Sequence, residues 1–416
     1  MSLKKIAIDG ILSNCKSAFD NCLPGTMIAS PSTVDPDYYY HWTRDAALTS
    51  LLLIRLLSKL PQYGKEIYDT IVSYVFHEIA TVQKNSLEYY AEPKYYVSGL
   101  RYEKDWGRPQ NDGPAIRGYS LCEFAFYQLK NENTHFITQH LVDFKSKNGI
   151  IYQDFLFVLN HYEDVSFDLW EEIKGHHYFT SEFHYQFIKK FSQLADIYSE
   201  IDIVSKCRKL MVKIRKHLDM FYSKNSSKWI ATVSPTNVPE HHRQWEDFGN
   251  ILVYNYTQLF WNPYLHSHIG PTINKIAREN IQKFGKKHGV ILCGRYIEDL
   301  YYQGPPWILL TIGFAQWLKR VKKMLDLDGS IRKEKWFQEL HEIIKDVVIH
   351  DDESFDDDNN FSVLVSKYKR NLEKLLMSIH QKNGGFHESF DQDTLEGLSA
   401  KKLTWSYASY LHFYIE

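Results

Sequence analysis

The stretch Thr180–Tyr198, TSEFHYQFIKKFSQLADIY, sets Phe183, Phe187, Phe191, Leu194 and Tyr198 three or four residues apart. That spacing lines one face of a helix, and Thr180 or Ser181 offers its N-cap. The period recurs in Ile203, Cys207, Leu210, Ile214 and Leu218, and again in Leu364, Tyr368, Leu372, Leu375 and Ile379. Further helices are expected at about 44–60 (stopped by Pro61), 65–83, 113–129, 134–160, 245–262, 270–284, 306–324, 333–348 and 402–414. Period-two alternation is confined to short pieces near Tyr95–Tyr102 and Trp229–Val233. The reading is all-α, with roughly a dozen helices. No linker-like stretch or shift in composition divides the sequence, so residues 1–416 read as one domain.

With 44% hydrophobic and 24% charged residues, the chain has the balance of an ordinary globular protein. A net charge of -2 gives no electrostatic case for nucleic acid or an anionic membrane. No apolar h-region follows Met1 and no long apolar run occurs, so neither a secretory signal nor a membrane span is expected in the chain, and the compartment stays open. Cys15, Cys22, Cys122, Cys207 and Cys293 are odd in number and lack a C-x-x-C spacing, which argues against a disulfide framework or a zinc site. Possible glycosylation triplets begin at Asn225, Asn255 and Asn360. The acidic run Asp351–Asn360 lacks the glycine and terminal Glu of a calcium loop and reads as a solvated connection. No phosphate-binding glycine loop or H-E-x-x-H is present. No metal or organic cofactor is expected. The unusual figure is 15% aromatic, with ten Trp and 29 Tyr. Sugar C–H faces stack on such rings, so the bias suits a carbohydrate site, and it suits an aromatic-rich core equally well.

Five segments look unlike core: Asp37–Asp45, Trp106–Arg117, Phe167–Gly175, Gly294–Trp307 and Gly384–Trp405. Each falls in a loop or at a helix start, where a rigid scaffold usually carries function. In His41-Trp42-Thr43-Arg44-Asp45, Thr43 reads as an N-cap and Asp45 suits the first helical turn, whereas Arg44 opposes the helix dipole there. Arg44 and Asp45 could grip sugar hydroxyls, one donating and one accepting; a local ion pair is the plainer alternative. In Phe167-Asp168-Leu169-Trp170-Glu171-Glu172, two adjacent acids close to an expected helix start are ordinary, but behind a Trp they also suit a polar pocket. Arg295, Glu298 and Asp299 stand among Tyr296, Tyr301, Tyr302 and Trp307. Glu388 lies in a loop opened by Gly384 and Gly385, where nothing local requires an acid. Cleaving a glycosidic bond takes two carboxyl groups, and Glu171 and Glu388 are the candidates.

Taken together, these segments resemble the glucoamylases of glycoside hydrolase family 15, particularly the fungal and yeast type. The matching blocks are PDYYYHWTRD at Pro36–Asp45, WGRPQNDGPA at Trp106–Ala115, DLWEE at Asp168–Glu172, GRYIED at Gly294–Asp299 and LSAKKLTWSY at Leu398–Tyr407. They occur in the family's order and run almost the length of the chain. The resemblance implies an all-α (α/α)6 barrel, a six-hairpin toroid. It also implies release of β-glucose from the non-reducing ends of α-1,4-linked glucans, with slower action on α-1,6 links. It makes Glu171 the general acid and Glu388 the general base. Arg44, Asp45, Glu172 and Arg295 become sugar-binding residues; Tyr38, Trp42, Trp106, Leu169, Trp170, Tyr296 and Trp307 line the pocket. A monomer acting on soluble α-glucan or maltooligosaccharide is expected, with no starch-binding module after Glu416. Two alternatives stay open: a related hydrolase of trehalose or α-1,6-glucan, and a carbohydrate-binding or regulatory barrel without turnover.

Overall fold

A computed structural model of the chain describes residues 1–15, 22–82, 90–223, 228–237, 247–257, 263–348 and 360–416. Its helices are of two kinds, distinguished by how their side chains are buried. In Thr43–Leu56 every residue except Asp45 and Arg55 is buried, and all eight residues of Gly249–Tyr256 are. Ile201–Leu218 instead buries one stripe, Ile203, Val204, Cys207, Leu210, Ile214 and Leu218. Lys335–Val347 does the same through Trp336, Phe337, Leu340, Ile343, Ile344 and Val347. A helix buried all round is packed on every side, whereas a striped helix keeps one face in water.

From Thr43 onward the long helices alternate between the two kinds, except that two striped helices follow Ile308–Leu327. Thr43–Leu56 is followed by the more exposed Gly64–Val82, Asp112–Lys130 by Ile150–His161, and Tyr178–Ile197 by Ile201–Leu218. Gly249–Tyr256 precedes Pro263–Phe284, and Ile308–Leu327 precedes Lys335–Val347 and Phe361–Asn383; the last helix, Thr404–Ile415, is again buried nearly throughout.

Contacts divide the chain into two compact units, one made of Ile11–Phe221 with Thr232–Pro239, the other of Met1–Gly10, Tyr222–Ala231 and Glu240–Glu416. In the first, Asp112–Lys130 packs against Thr43–Leu56 and Tyr178–Ile197, and the latter against Ile201–Leu218. Phe183, Phe187, Phe191 and Leu194 are fully buried there, each side chain contributing about 1.5–3 kcal/mol by leaving water. In the second, Ile308–Leu327 packs against Gly249–Tyr256, Phe361–Asn383 and Thr404–Ile415. Short antiparallel strands sit between helices. Tyr40–Trp42 pairs with Lys94–Tyr96, Ser166–Phe167 and Thr232–Asn237 flank Lys174–His177, and Ser389–Phe390 pairs with Gly397–Leu398.

Several local expectations give way. The helix expected over 134–160 is broken into Thr134–Phe136, a π turn at Ile137–Leu141, and Ile150–His161. The Asp143 carboxylate accepts from Lys145 N and Ser146 Oγ, drawing the backbone into a turn. Gly149 then takes φ +101°, where a Cβ would stand 2.6 Å from the Leu141 carbonyl oxygen. Thr43 lies inside its helix rather than capping it; Trp42 holds the cap position, and the Thr43 hydroxyl donates to Glu92 O. The helix near Thr180 starts at Tyr178 with His177 at its cap. The N-terminal helix Leu3–Cys15 was not foreseen. Asp351–Asp358, Asn359 and the triplet at Asn225 lie outside the described residues. Asn255 is buried and donates to Gly313 O, a poor acceptor for a glycan, and Asn360 caps Phe361–Asn383. No described helix is long and apolar enough to cross a membrane, and no cysteine is in a disulfide.

Candidate active site

Glu171 lies in no helix. It occupies the turn between strands Ser166–Phe167 and Lys174–His177, at φ +66°, a left-handed conformation that costs a non-glycine residue about 1–3 kcal/mol. Asp168 holds that turn: its Oδ1 accepts Glu172 N and Ile173 N, each at 2.8 Å, and its carbonyl accepts Glu171 N at 3.0 Å. Gly107 lies against the turn, and a Cβ there would come within 3.0 Å of Glu171 O and 2.9 Å of the Phe167 ring. The acid's position is therefore built by the backbone of two segments distant in sequence.

Its side chain is held on both oxygens. Trp42 Nε1 donates to Oε1 at 2.7 Å and Gln110 Nε2 to the same oxygen at 3.0 Å, while Trp106 Nε1 donates to Oε2 at 2.7 Å. Arg44 Nη1 is 3.9 Å from Oε1. Tyr38 tilts against the Trp42 ring with centroids 5.2 Å apart. Arg44 itself is buried and uses three of its five N–H groups on protein. Nε donates to Asp112 at 2.8 Å, Nη1 to Leu169 O at 3.1 Å, and Nη2 to Gln110 Oε1. Its place against the helix dipole is explained by this bracing of three segments. Asp45, next in the helix, is only partly buried by area. Burial pushes its carboxyl up to about 7; Arg44 pulls against that shift, and Glu171 and Asp112 add repulsion. Leu169 and Trp170 are buried beside Glu171, and Glu172 is half-buried, its carbonyl accepting from Asn237.

In the other unit, Arg295 grips Asp299 with two hydrogen bonds, Nε to Oδ2 at 2.8 Å and Nη2 to Oδ1 at 2.6 Å. Its guanidinium lies 5.1–5.3 Å from the ring centroids of Tyr296, Tyr301 and Trp307. Glu388 is 3% exposed and directly precedes the strand Ser389–Phe390. Its backbone is pinned by Glu388 N donating to Ala400 O and Ile308 N donating to Glu388 O, and Trp307 bridges to Ser389. The Ser399 hydroxyl donates to Glu388 Oε2, with the Tyr301 hydroxyl 2.9 Å from the same Ser399 oxygen.

Sequence reading thus found Trp42, Trp106 and Glu171, which meet in one cluster with Arg44 and Leu169, and Arg295, Tyr296 and Trp307, which meet in another. It passed over Gln110, Asp112 and Ser399, although all three lie inside the quoted blocks. Lys94 was missed altogether, since a lysine in a tyrosine-rich strand reads as solvated. Among the described residues His41, His77 and Glu78 could also be arranged around a metal. Their hydrogen bonds point elsewhere. Met27 N donates to His41 Nδ1, so Nε2 carries the proton and donates to Glu78 Oε1 at 2.9 Å. Arg117 meets the other Glu78 oxygen at 3.2 Å, so a cation would face a guanidinium. The cluster is a buried ionic network.

Comparison with known proteins places this geometry in context. The family model described as "Glycosyl hydrolases family 15" matches residues 5–414. A probable glucoamylase from Schizosaccharomyces pombe is 30% identical over 406 residues, covering 94% of this chain and 84% of that protein. A glucoamylase from Blastobotrys adeninivorans is 28% identical, covering 93% of this chain and 66% of its own length. Among solved structures, the family 15 glucoamylase of Hypocrea jecorina superposes with a TM-score of 0.79 at 25% identity, over 98% of this chain and 70% of that one. The Saccharomycopsis fibuligera glucoamylase gives 0.79 at 21%, over 99% and 93%.

Proposed function

Because the chain belongs to the glycosyl hydrolases of family 15, we propose that it works as a glucoamylase, releasing β-glucose from the non-reducing ends of α-1,4-linked glucans and maltooligosaccharides. It is a glycoside hydrolase, and its fold is the (α/α)6 barrel expected from the sequence. In this reading residues 1–416 form one catalytic domain, active as a monomer, with soluble α-glucan as substrate and slower action on α-1,6 links.

Glu171 is the general acid and gives its proton to the departing glycosidic oxygen. Glu388 is the general base and takes a proton from the water that attacks the anomeric carbon from the opposite face. The single displacement inverts the anomeric centre. Arg44, Asp45, Glu172 and Arg295 bind the terminal glucose, with Tyr38, Trp42, Trp106, Leu169, Trp170, Tyr296 and Trp307 as pocket wall. The observation that carries the reading is the carboxyl of Glu171 held between two indole N–H groups and an amide. These neutral donors fix its direction and stabilise the carboxylate that forms once the proton has left. The Ser399 hydroxyl donates to Glu388 Oε2 and fixes the direction of that carboxyl in turn.

Initial rates on maltopentaose, isomaltose and trehalose test the substrate, and the first should be fastest. Glu171→Gln and Glu388→Gln should each lower kcat by about 10²–10⁴-fold while KM changes little. Unchanged turnover in either variant removes that residue from its role.

A further inference from the structure

Lys94 is 1% exposed, yet its ammonium has no hydrogen bond or ion pair among the described residues. It is surrounded by rings. The ammonium nitrogen lies 3.1 Å from the centroid of Trp106, 4.1 Å from Tyr102, 4.5 Å from Trp42 and 4.6 Å from Tyr40. The rings close on one another. Tyr40 meets Trp42 and Tyr102 edge-on at 5.8 and 5.3 Å, and Trp106 meets Tyr102 and Trp42 at 5.8 and 6.1 Å. Strand register builds the box, because Lys94 stands directly opposite Trp42 and Tyr96 opposite Tyr40. Aromatic faces carry partial negative charge, so four of them can hold a desolvated cation in place of a carboxylate.

Two of these rings are the indoles that donate to Glu171, Trp42 to Oε1 and Trp106 to Oε2. An indole N–H lies in the ring plane, so whatever fixes the plane aims the donor. We propose that Lys94 is a positioning residue of the acid step: its ammonium sets the Trp42 and Trp106 ring planes and thereby keeps both N–H groups on the Glu171 carboxyl. The role rests on Glu171 as the acid; Lys94 touches no reacting atom and works through the indoles, beside the charge attraction it shares with Glu171. The charges facing it are Glu171, Asp37 and Glu92, which favour the ammonium, and Arg108, which opposes it. Burial pushes Lys94 down to about 8, so the box holds its cation under acidic and neutral conditions.

The test uses Lys94→Met, which keeps the stem and removes the charge. The first readout needs no turnover. Indole N–H resonances of Trp42 and Trp106, assigned through Trp42→Phe and Trp106→Phe, should shift and exchange with water about tenfold faster in Lys94→Met. The second is kinetic: kcat should fall about tenfold or more with KM within threefold of wild type. The third is a cycle, in which Lys94→Met combined with Trp106→Phe lowers kcat by less than the product of the two single losses. Unchanged indole resonances, or losses that multiply in full, overturn the proposal. If the wild-type chain releases no glucose, the functional reading fails while the resonance measurement still decides the role of Lys94. Should Lys94→Met not fold, Lys94→Gln carries the same measurements.

Discussion

Trp106 donates its indole N–H to Oε2 of Glu171 across 2.7 Å. A hydrogen bond to a charged group contributes about 1.5–3 kcal/mol, and with Glu171 as the proposed acid this one would strengthen as the proton leaves. Trp106→Phe keeps an aromatic face over Lys94 and removes only the donor. The expected result is a fall in kcat of about 10–100-fold with little change in KM. Steady-state kinetics on maltopentaose would read it, and wild-type turnover would show that the bond does not act in catalysis.

Ser399 is the hydrogen-bond partner of Glu388, the proposed base. Its hydroxyl donates to Oε2 and is itself in contact with Tyr301. Removing a donor to a carboxylate makes the charged form harder to reach. In Ser399→Ala the acid limb of the kcat/KM profile should therefore move to higher pH. A limb that stays in place contradicts Glu388 as the base.

The fold shifts the titration of Asp45. Its ordinary value is 3.8 and burial lifts it to about 7 in the fold. Between those values the folded chain holds a proton the unfolded chain has lost, so the stabilisation is full below 3.8 and disappears as pH rises through about 7. Asp45→Asn stays neutral throughout. Allowing for partial exposure, it should match wild type near pH 4 and be more stable at pH 8 by about 1–2 kcal/mol, while KM rises because the acceptor for sugar hydroxyls is weakened. Thermal melts at the two pH values decide, and a variant no more stable at pH 8 refutes the argument.

How much of this was legible beforehand depended on whether a property is local. The stripe from Phe183 to Leu194 is fully buried because a 3.6-residue period dictates which side chains share a face. The block at Asp168–Glu172 drew attention to Glu171, whose carboxyl the structure holds between Trp42, Trp106 and Gln110. Its backbone conformation was misread, because a left-handed residue braced by Asp168 leaves no periodic trace. Arg44 was recognised as out of place in a first helical turn, but its partners Asp112, Gln110 and Leu169 come from segments more than sixty residues away. Lys94 gave no sign at all. Its box exists only once strand pairing sets it opposite Trp42.

His184 offers a check on the interior. Its Nε2 lies 2.9 Å from Asn111 O, and burial pushes the ring down to about 4 from 6.5. His41 and His177 are pushed down to about 4 in the same way. A depressed histidine contributes stability that is complete above 6.5 and lost as pH falls through about 4. His184→Gln can keep a donor to Asn111 without titrating. Between pH 7 and pH 4.5 it should lose about 1–3 kcal/mol less stability than wild type in urea unfolding. Parallel losses in the two proteins would mean that His184 is not held neutral.

The most direct measurement follows the anomeric proton of the first glucose released from a maltooligosaccharide, by NMR within seconds of mixing and before mutarotation. One displacement, with Glu171 and Glu388 as acid and base, delivers β-glucose first, and the α anomer grows in only afterwards. Initial α-glucose, or a shortened oligosaccharide without free glucose, contradicts the account.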